Sequence, residues 1–344
     1  MLNDLRADDY KKKLENLNRL QNFIYRTLRP EMYHGHGKRP PFFEGWYYKL
    51  VSADESQRYA VIPGVQLGED GHAFVQVLDG VNLKANYHRF PLEVFWASSQ
   101  EFEVRIADNR FTLDEIELNI NGEEGQLEGK LKFEHIVGWP VSWRSPGIMG
   151  WYAWAPFMET YHGVLSFDHT ILGGLEIDGK VIDFQSGRGY IEKDWGKSFP
   201  QAWIWFQSNH FESPGISLTA SAAIIPWLRS SFRGFIVGLW LDGELYRFAT
   251  YTGAKIEALS VADDRAEMVI SDANYLLEMT AVRERGGLLR GPTQVDMGLR
   301  VAETLGADVL VRLREKSGKE VFSGRGRHGG LEIQGDIARL LAYS

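Results

Sequence analysis

Tyr190, Glu192 and Asp194 occupy every second position of the run Tyr190-Ile191-Glu192-Lys193-Asp194-Trp195-Gly196, and Trp203, Trp205, Gln207 and Asn209 repeat that spacing shortly afterwards. Extended backbone sends successive side chains to opposite faces, so the acids share one face and the tryptophans and amides share another. A strand that only filled a core would not place Gln207 and Asn209 beside two tryptophans, because a buried amide costs free energy unless it is hydrogen-bonded. Acids and amides among large aromatics mark this stretch as a candidate site.

A carboxylic acid in an aromatic pocket can protonate a trisubstituted alkene. The tertiary cation that forms needs a stabilising wall and a nucleophile. A well-placed, desolvated ring is worth on the order of 2 kcal/mol toward a cation, and Phe, Trp and Tyr make up 13% of the chain. A glutamic acid with an ordinary pKa is protonated about one part in five hundred at pH 7, a penalty of roughly 3.7 kcal/mol. Burial against tryptophans raises that pKa and removes most of the penalty. Glu192 fits this description, and a structural carboxylate paired with an arginine such as Arg188 is the competing reading. Glu44 shares a strand face with Trp46 and Tyr48, and there it could hold a phenol, accept its proton, or serve a backbone or arginine group.

Other chemistries find less support. There is no cysteine, which removes disulfides, thiolate nucleophiles and cysteine metal sites. No Gly-x-Ser-x-Gly elbow and no phosphate-cradling loop occurs. The run Gly324-Arg325-Gly326-Arg327-His328-Gly329-Gly330 is expected to be a solvated loop. His162 and His169 fall on opposite faces of a regular strand, roughly 23 Å apart along it, too far for one ion. We therefore expect no metal and no cofactor. Taken singly, each histidine is expected to be a hydrogen-bonded structural residue.

Around this stretch, Tyr10, Leu14, Leu17, Leu20, Phe23, Ile24 and Leu28 recur at helical spacing up to Pro30, predicting an amphipathic helix over residues 1–30. From Pro40 short alternating runs predict strands at Tyr59–Val65, His72–Leu78, Leu92–Ala97, Phe102–Ile106, Ile116–Ile120 and Leu127–Phe133. The passage from Trp139 to Trp154 reads as an irregular, tryptophan-rich loop that covers a pocket. Strands resume at Tyr161–Ile171, Gly174–Ile177 and Lys180–Phe184. After Phe211 a second series runs through Ser217–Ile225, Gly234–Leu241, Glu244–Thr250, Ala266–Ser271, Tyr275–Val282, Val309–Arg314 and Lys319–Ser323. Asp79-Gly80, Asn121-Gly122, Asp178-Gly179 and Asp242-Gly243 are hairpin signals. No strand-helix-strand alternation appears, so the class is all-β. Two barrel-like or sandwich-like domains are expected, 31–200 and 201–344, with the Tyr190 stretch at their seam.

A net charge of -8 without a basic run argues against a nucleic-acid partner. The polar N-terminus and the lack of a long apolar run predict a cytoplasmic protein. Transient contact with a membrane surface stays open for the first helix, and so does the oligomeric state.

The sequence resembles the tocopherol cyclase family and, more distantly, carotenoid 1,2-hydratases and lipocalin-like cyclases. The likeness is carried by Phe43-Glu44-Gly45-Trp46-Tyr47-Tyr48-Lys49, Gly150-Trp151-Tyr152, Pro156-Phe157-Met158-Glu159 and above all the Tyr190–Asn209 block. Weaker echoes lie near Gly291-Pro292-Thr293 and Gly329-Gly330-Leu331-Glu332. The resemblance implies paired lipocalin-like domains with a site near their junction. It also implies acid-catalysed ring closure on a prenylated aromatic, with Glu192 as the acid and Tyr190 and His162 orienting it or relaying protons. Asp194 stands where the family usually carries Asn, so it is not the essential acid; a bridge to Lys193 or another base is the expectation. Glu44, Trp46, Trp195, Trp203, Trp205, Gln207 and Asn209 would bind the substrate. Hydration of an isoprenoid double bond and simple carriage of an apolar ligand are the alternatives.

Overall fold

The computed structural model describes residues 19–343 apart from 263, 284, 285 and 293–296. The expected helix is present over residues 19–27, while its Tyr10, Leu14 and Leu17 positions lie outside the described residues, as does Thr293. Most of the rest is antiparallel strand, with 3-10 segments and a short C-terminal helix at Ile337–Ala342, and the class is all-β with two lipocalin-like sheets.

The first sheet has twelve strands and the second ten, and they share one plan. In each, the first strand pairs with the last: Phe42–Val51 with Gly187–Gly196, and Ala202–Ser208 with Glu320–Gly335. The other strands meander outward on either side of that central pair. No residue-level repeat announces this duplication. It shows only in the topology, and it puts two similar central pairs on consecutive stretches of chain.

Turn chemistry fixes much of the register. Asp178 and Gly179 both have positive φ (50° and 78°), as do Asp242 and Gly243 (50° and 89°), the two-residue hairpin geometry that matches strand twist. Some expectations need correction. The Gly324–Gly330 run is strand, the middle of Glu320–Gly335, which pairs with both Met297–Glu315 and Ala202–Ser208. Its glycines admit close neighbours: a Cβ on Gly330 would lie 2.5 Å from the Trp205 ring. Its arginines find carboxylates in Asp308 and Glu55. Leu92–Ala97 is a short 3-10 turn followed by only three strand residues, because Pro91 lacks the ladder donor. The strands Lys84–Phe90, Asn109–Thr112, Lys255–Ala262 and Gly287–Pro292 have polar or glycine-broken patterns that conceal them in the sequence.

Three apolar clusters follow. One fills the first sheet's interior around Trp46, Tyr48, Phe111 and Phe184, and one fills the second around Phe206, Leu239 and Leu277. The third lies between the sheets and contains Tyr47, Trp139, Phe167, Tyr190, Trp203 and Trp205. Strand alternation produces this division directly: Trp46 and Tyr48 point into the first sheet's core, and Tyr47 between them points to the seam. Among the described residues no helix is long and apolar enough to cross a membrane.

Candidate active site

Between the two sheets lies a cavity, open at its mouth, with residues of both sheets on its walls. The Trp139–Trp154 passage forms part of its edge: Met149 and Tyr152 from the 3-10 segment Gly147–Trp154 are on the lining. The chain bends there at Gly150 (φ 57°), which faces the Tyr251 ring so closely that a Cβ would lie 2.5 Å from it. Of the residues singled out in the sequence, Glu192, His162, Trp203 and Trp205 line this space together, and Asp194 joins them.

Glu192 stands on the seam face of Gly187–Gly196 with Tyr190 and Asp194 on either side. Tyr190, fully buried behind it, donates its hydroxyl to Glu192 Oε2 at 2.6 Å, and the Trp205 indole N–H donates to the same oxygen at 3.1 Å. His162, from the neighbouring strand Thr160–Ile177, places Nε2 3.7 Å from that oxygen and Nδ1 2.9 Å from Asp194 Oδ1. Asp194 thus pairs with His162 rather than with Lys193, and Arg188 pairs with Asp168 at 2.8 Å rather than with Glu192.

The electrostatics follow from these neighbours. Burial pushes the Glu192 carboxyl up, the His162 charge pulls it down and Asp194 raises it again, leaving it at about 7. Burial works against a charge on His162, but the carboxylates of Asp194 and Glu192 outweigh it and bring the imidazole up to about 9. Near neutrality the cluster therefore holds an imidazolium–carboxylate pair beside an acid close to half-protonated.

The remaining residues go elsewhere. Glu44 and Trp46 point into the first sheet's interior, not the seam. Glu44 accepts from the His34 backbone N–H with both oxygens (2.9 and 2.8 Å) and meets Lys193 Nζ at 2.5 Å. Burial alone would raise Glu44, yet the Lys193 ammonium and the His34 contacts bring it below the usual carboxylate range. Trp46 donates to the Glu31 carbonyl and stacks on Phe102. Trp195 is sandwiched in the same interior between His34 and Tyr161, with Lys193 Nζ 4.7 Å from its ring. Gln207 lies in the seam off the cavity wall, where its Oε1 accepts from Lys49 Nζ at 2.7 Å. Asn209 lies past the end of its strand and ties the sheets together by donating to Asp168 Oδ1 and the Gly189 carbonyl, both at 2.9 Å. His169 packs on Phe133 and hydrogen-bonds Ser166, so the two histidines face opposite sides of their strand, with two register irregularities between them.

Two acidic wall residues escaped the sequence reading as site residues: Glu303 and Glu332 of the second sheet. The Tyr47 hydroxyl donates to Glu303 Oε1, and the Trp203 indole N–H donates to Glu332 Oε2 at 2.6 Å. Only Glu332 carried a signal, as the last residue of the Gly329-Gly330-Leu331-Glu332 echo.

His162, Glu192 and Asp194 could each offer one ligand atom within 4.8 Å of the others. The His162–Asp194 hydrogen bond uses Nδ1 and Oδ1 and the two donors on Glu192 use Oε2, while His162 Nε2 is buried without a hydrogen-bond partner among the described residues.

A family model described as tocopherol cyclase-like matches residues 110–335, which is the later half of the first sheet and the whole of the second. The chain belongs to the tocopherol cyclase-like family. Among curated proteins it is similar to a probable chloroplastic tocopherol cyclase of Oryza sativa subsp. japonica, 24% identical over 88% of this chain and 77% of the rice protein. The chloroplastic tocopherol cyclase of Zea mays matches at the same identity and coverage. Among solved structures, the crystal structure of CghA with Sch210972 aligns with a TM-score of 0.53 at 11% identity, over 86% of this chain and 89% of that one, a likeness of fold.

Proposed function

We propose that the protein is an enzyme that closes a chromanol ring on a prenylated aromatic by adding its phenol oxygen across the first prenyl double bond, without a cofactor. The observation that carries this reading is the Glu192 carboxyl on the cavity wall, held by the uncharged donors Tyr190 and Trp205 and, among the described residues, by no arginine. A pKa of about 7 leaves roughly half the molecules with the acid protonated at pH 7, against one in five hundred for an ordinary glutamate, and so removes most of the 3.7 kcal/mol penalty. The described hydrogen bonds to Glu192 fall on Oε2, so Oε1 carries the proton to the alkene. The aromatic wall, with Trp205 against the acid, shields the tertiary cation from water. The phenol oxygen then bonds to the cationic carbon and gives up its proton, which returns to the carboxylate left on Glu192 and regenerates the acid. His162, charged by Asp194, positions Glu192 and limits its rise in pKa.

The family membership supports an enzyme of this kind, and a carrier would have no use for an acid of raised pKa in its wall. The proposal places the enzyme in the cytoplasm, with a neutral isoprenoid ligand and no nucleic-acid partner; cell fractionation tests the location. Incubation with 2-geranylhydroquinone followed by mass measurement tests the reaction. Ring closure leaves the mass unchanged with a new chromatographic position, whereas hydration adds one water and carriage returns the ligand unaltered. Glu192→Gln should lower formation of the new product at least about a hundredfold.

A further inference from the structure

The cavity wall built by the second sheet has its own polar centre. Glu303 and Glu332 stand directly opposite one another on the paired strands Met297–Glu315 and Glu320–Gly335. That register puts both side chains on one face with their Cβ atoms about 5 Å apart. Both line the cavity, and each accepts a hydrogen bond from an uncharged group, Tyr47 for Glu303 and Trp203 for Glu332. Glu303 is only 1% exposed, and its Oε2 is buried without a hydrogen-bond partner among the described residues. A buried carboxyl oxygen left so is unfavourable unless a ligand completes it.

Two carboxyls this close and this buried do not both ionise, so at least one keeps a proton and can donate as well as accept. Burial, Glu332 and Glu192 push Glu303 well above the carboxylate range, and burial with Glu192 and Asp194 pushes Glu332 up to about 8. A phosphate or carboxylate head group would bring further negative charge to a wall that already holds four acidic side chains, Glu192, Asp194, Glu303 and Glu332. A neutral ring bearing hydroxyls meets groups that both give and take hydrogen bonds.

We propose that Glu303 and Glu332 form the head-group site of the cavity, hydrogen-bonding the oxygen substituents of an uncharged aromatic ring. The proposal rests on the prenylated-aromatic reading above for the class of ligand, but it concerns binding and needs no turnover. The test uses 2-geranylhydroquinone and its 1,4-dimethyl ether, which has the same ring and tail but no hydroxyl to donate. Affinities are read anaerobically at pH 7 from quenching of tryptophan fluorescence. The wild type should bind the hydroquinone at least tenfold more tightly than the ether. Glu303→Leu and Glu332→Leu should bring that ratio below threefold without weakening the ether. Glu303→Gln, neutral and of the same shape, should keep the preference, and so should Glu192→Gln. Equal affinities in the wild type, or a tenfold preference surviving in Glu303→Leu, overturn the proposal. If the leucine variants do not fold by circular dichroism, the wild-type ratio and Glu303→Gln decide: a preference kept in both supports the site, and its loss in either contradicts it. A cyclase with no such preference would leave the reaction intact and remove only this site.

Discussion

Glu44 and Glu192 are both buried glutamates among tryptophans, on strands that pair directly, with Glu44 opposite Trp195 and Glu192 opposite Tyr47. One faces the first sheet's interior and the other faces the seam. In the interior, Lys193 and the His34 backbone N–H compensate the charge, and Glu44 is held as a carboxylate. In the seam, the partners are a phenol, an indole and an imidazole already paired with Asp194, and Glu192 rises to about 7. Burial alone does not create an acid. The partners that burial is combined with decide whether a carboxyl is a structural anchor or a proton donor.

Exchanging the roles of the two sites should fail, and the sharpest failure concerns turnover. Glu192→Gln should lower ring closure about 10²–10⁴-fold, or about 3–5 kcal/mol of barrier, while unfolding in urea shifts by no more than about 1 kcal/mol. The interior pair should behave in the opposite way. Lys193→Met strands the Glu44 charge and should lose about 3–5 kcal/mol of stability in the same urea measurement. Ring closure by the folded fraction should persist.

The pH dependence of stability separates the two acids by sign. Glu192 has a folded pKa raised above its unfolded value, so its contribution is present below 4.5 and is lost as pH rises toward and through about 7. Glu44 has a lowered folded pKa, so its contribution is present above the unfolded value of 4.5 and is lost as pH falls through the folded one. Thermal unfolding across this range should therefore show the alkaline loss flattened in Glu192→Gln and the acid loss flattened in Glu44→Gln. Identical profiles for the two variants would erase the distinction. The smallest effect is expected from Tyr190→Phe. Its hydroxyl lowers the Glu192 pKa, so removing it should move the falling limb of the pH–rate profile upward and change the rate at pH 7 by less than about tenfold.

Period-two alternation made the seam legible: it grouped Tyr190, Glu192 and Asp194, and it grouped Trp203 with Trp205, before any contact was known. Alternation does not say which face meets which neighbour, so Glu44 and Trp46 looked equivalent to Glu192 although the seam takes the other face of their strand, with Tyr47. Asn209 lies past the end of its strand, where the rule lapses, and Gln207 is drawn to Lys49, a partner 158 residues away. Glu303 and Glu332 were hidden for a related reason. They come together only through pairing of two C-terminal strands, one of which contains the glycine-rich run that reads as a loop.

The claim that the seam makes an acid is tested most directly by titrating Glu192 itself. With ¹³C-labelled glutamate carboxyls, the resonance missing from Glu192→Gln should titrate with a midpoint of about 7 in the wild type. A midpoint in the ordinary glutamate range near 4.3 would contradict the account, because the carboxyl would then be ionised at the pH where it has to deliver its proton.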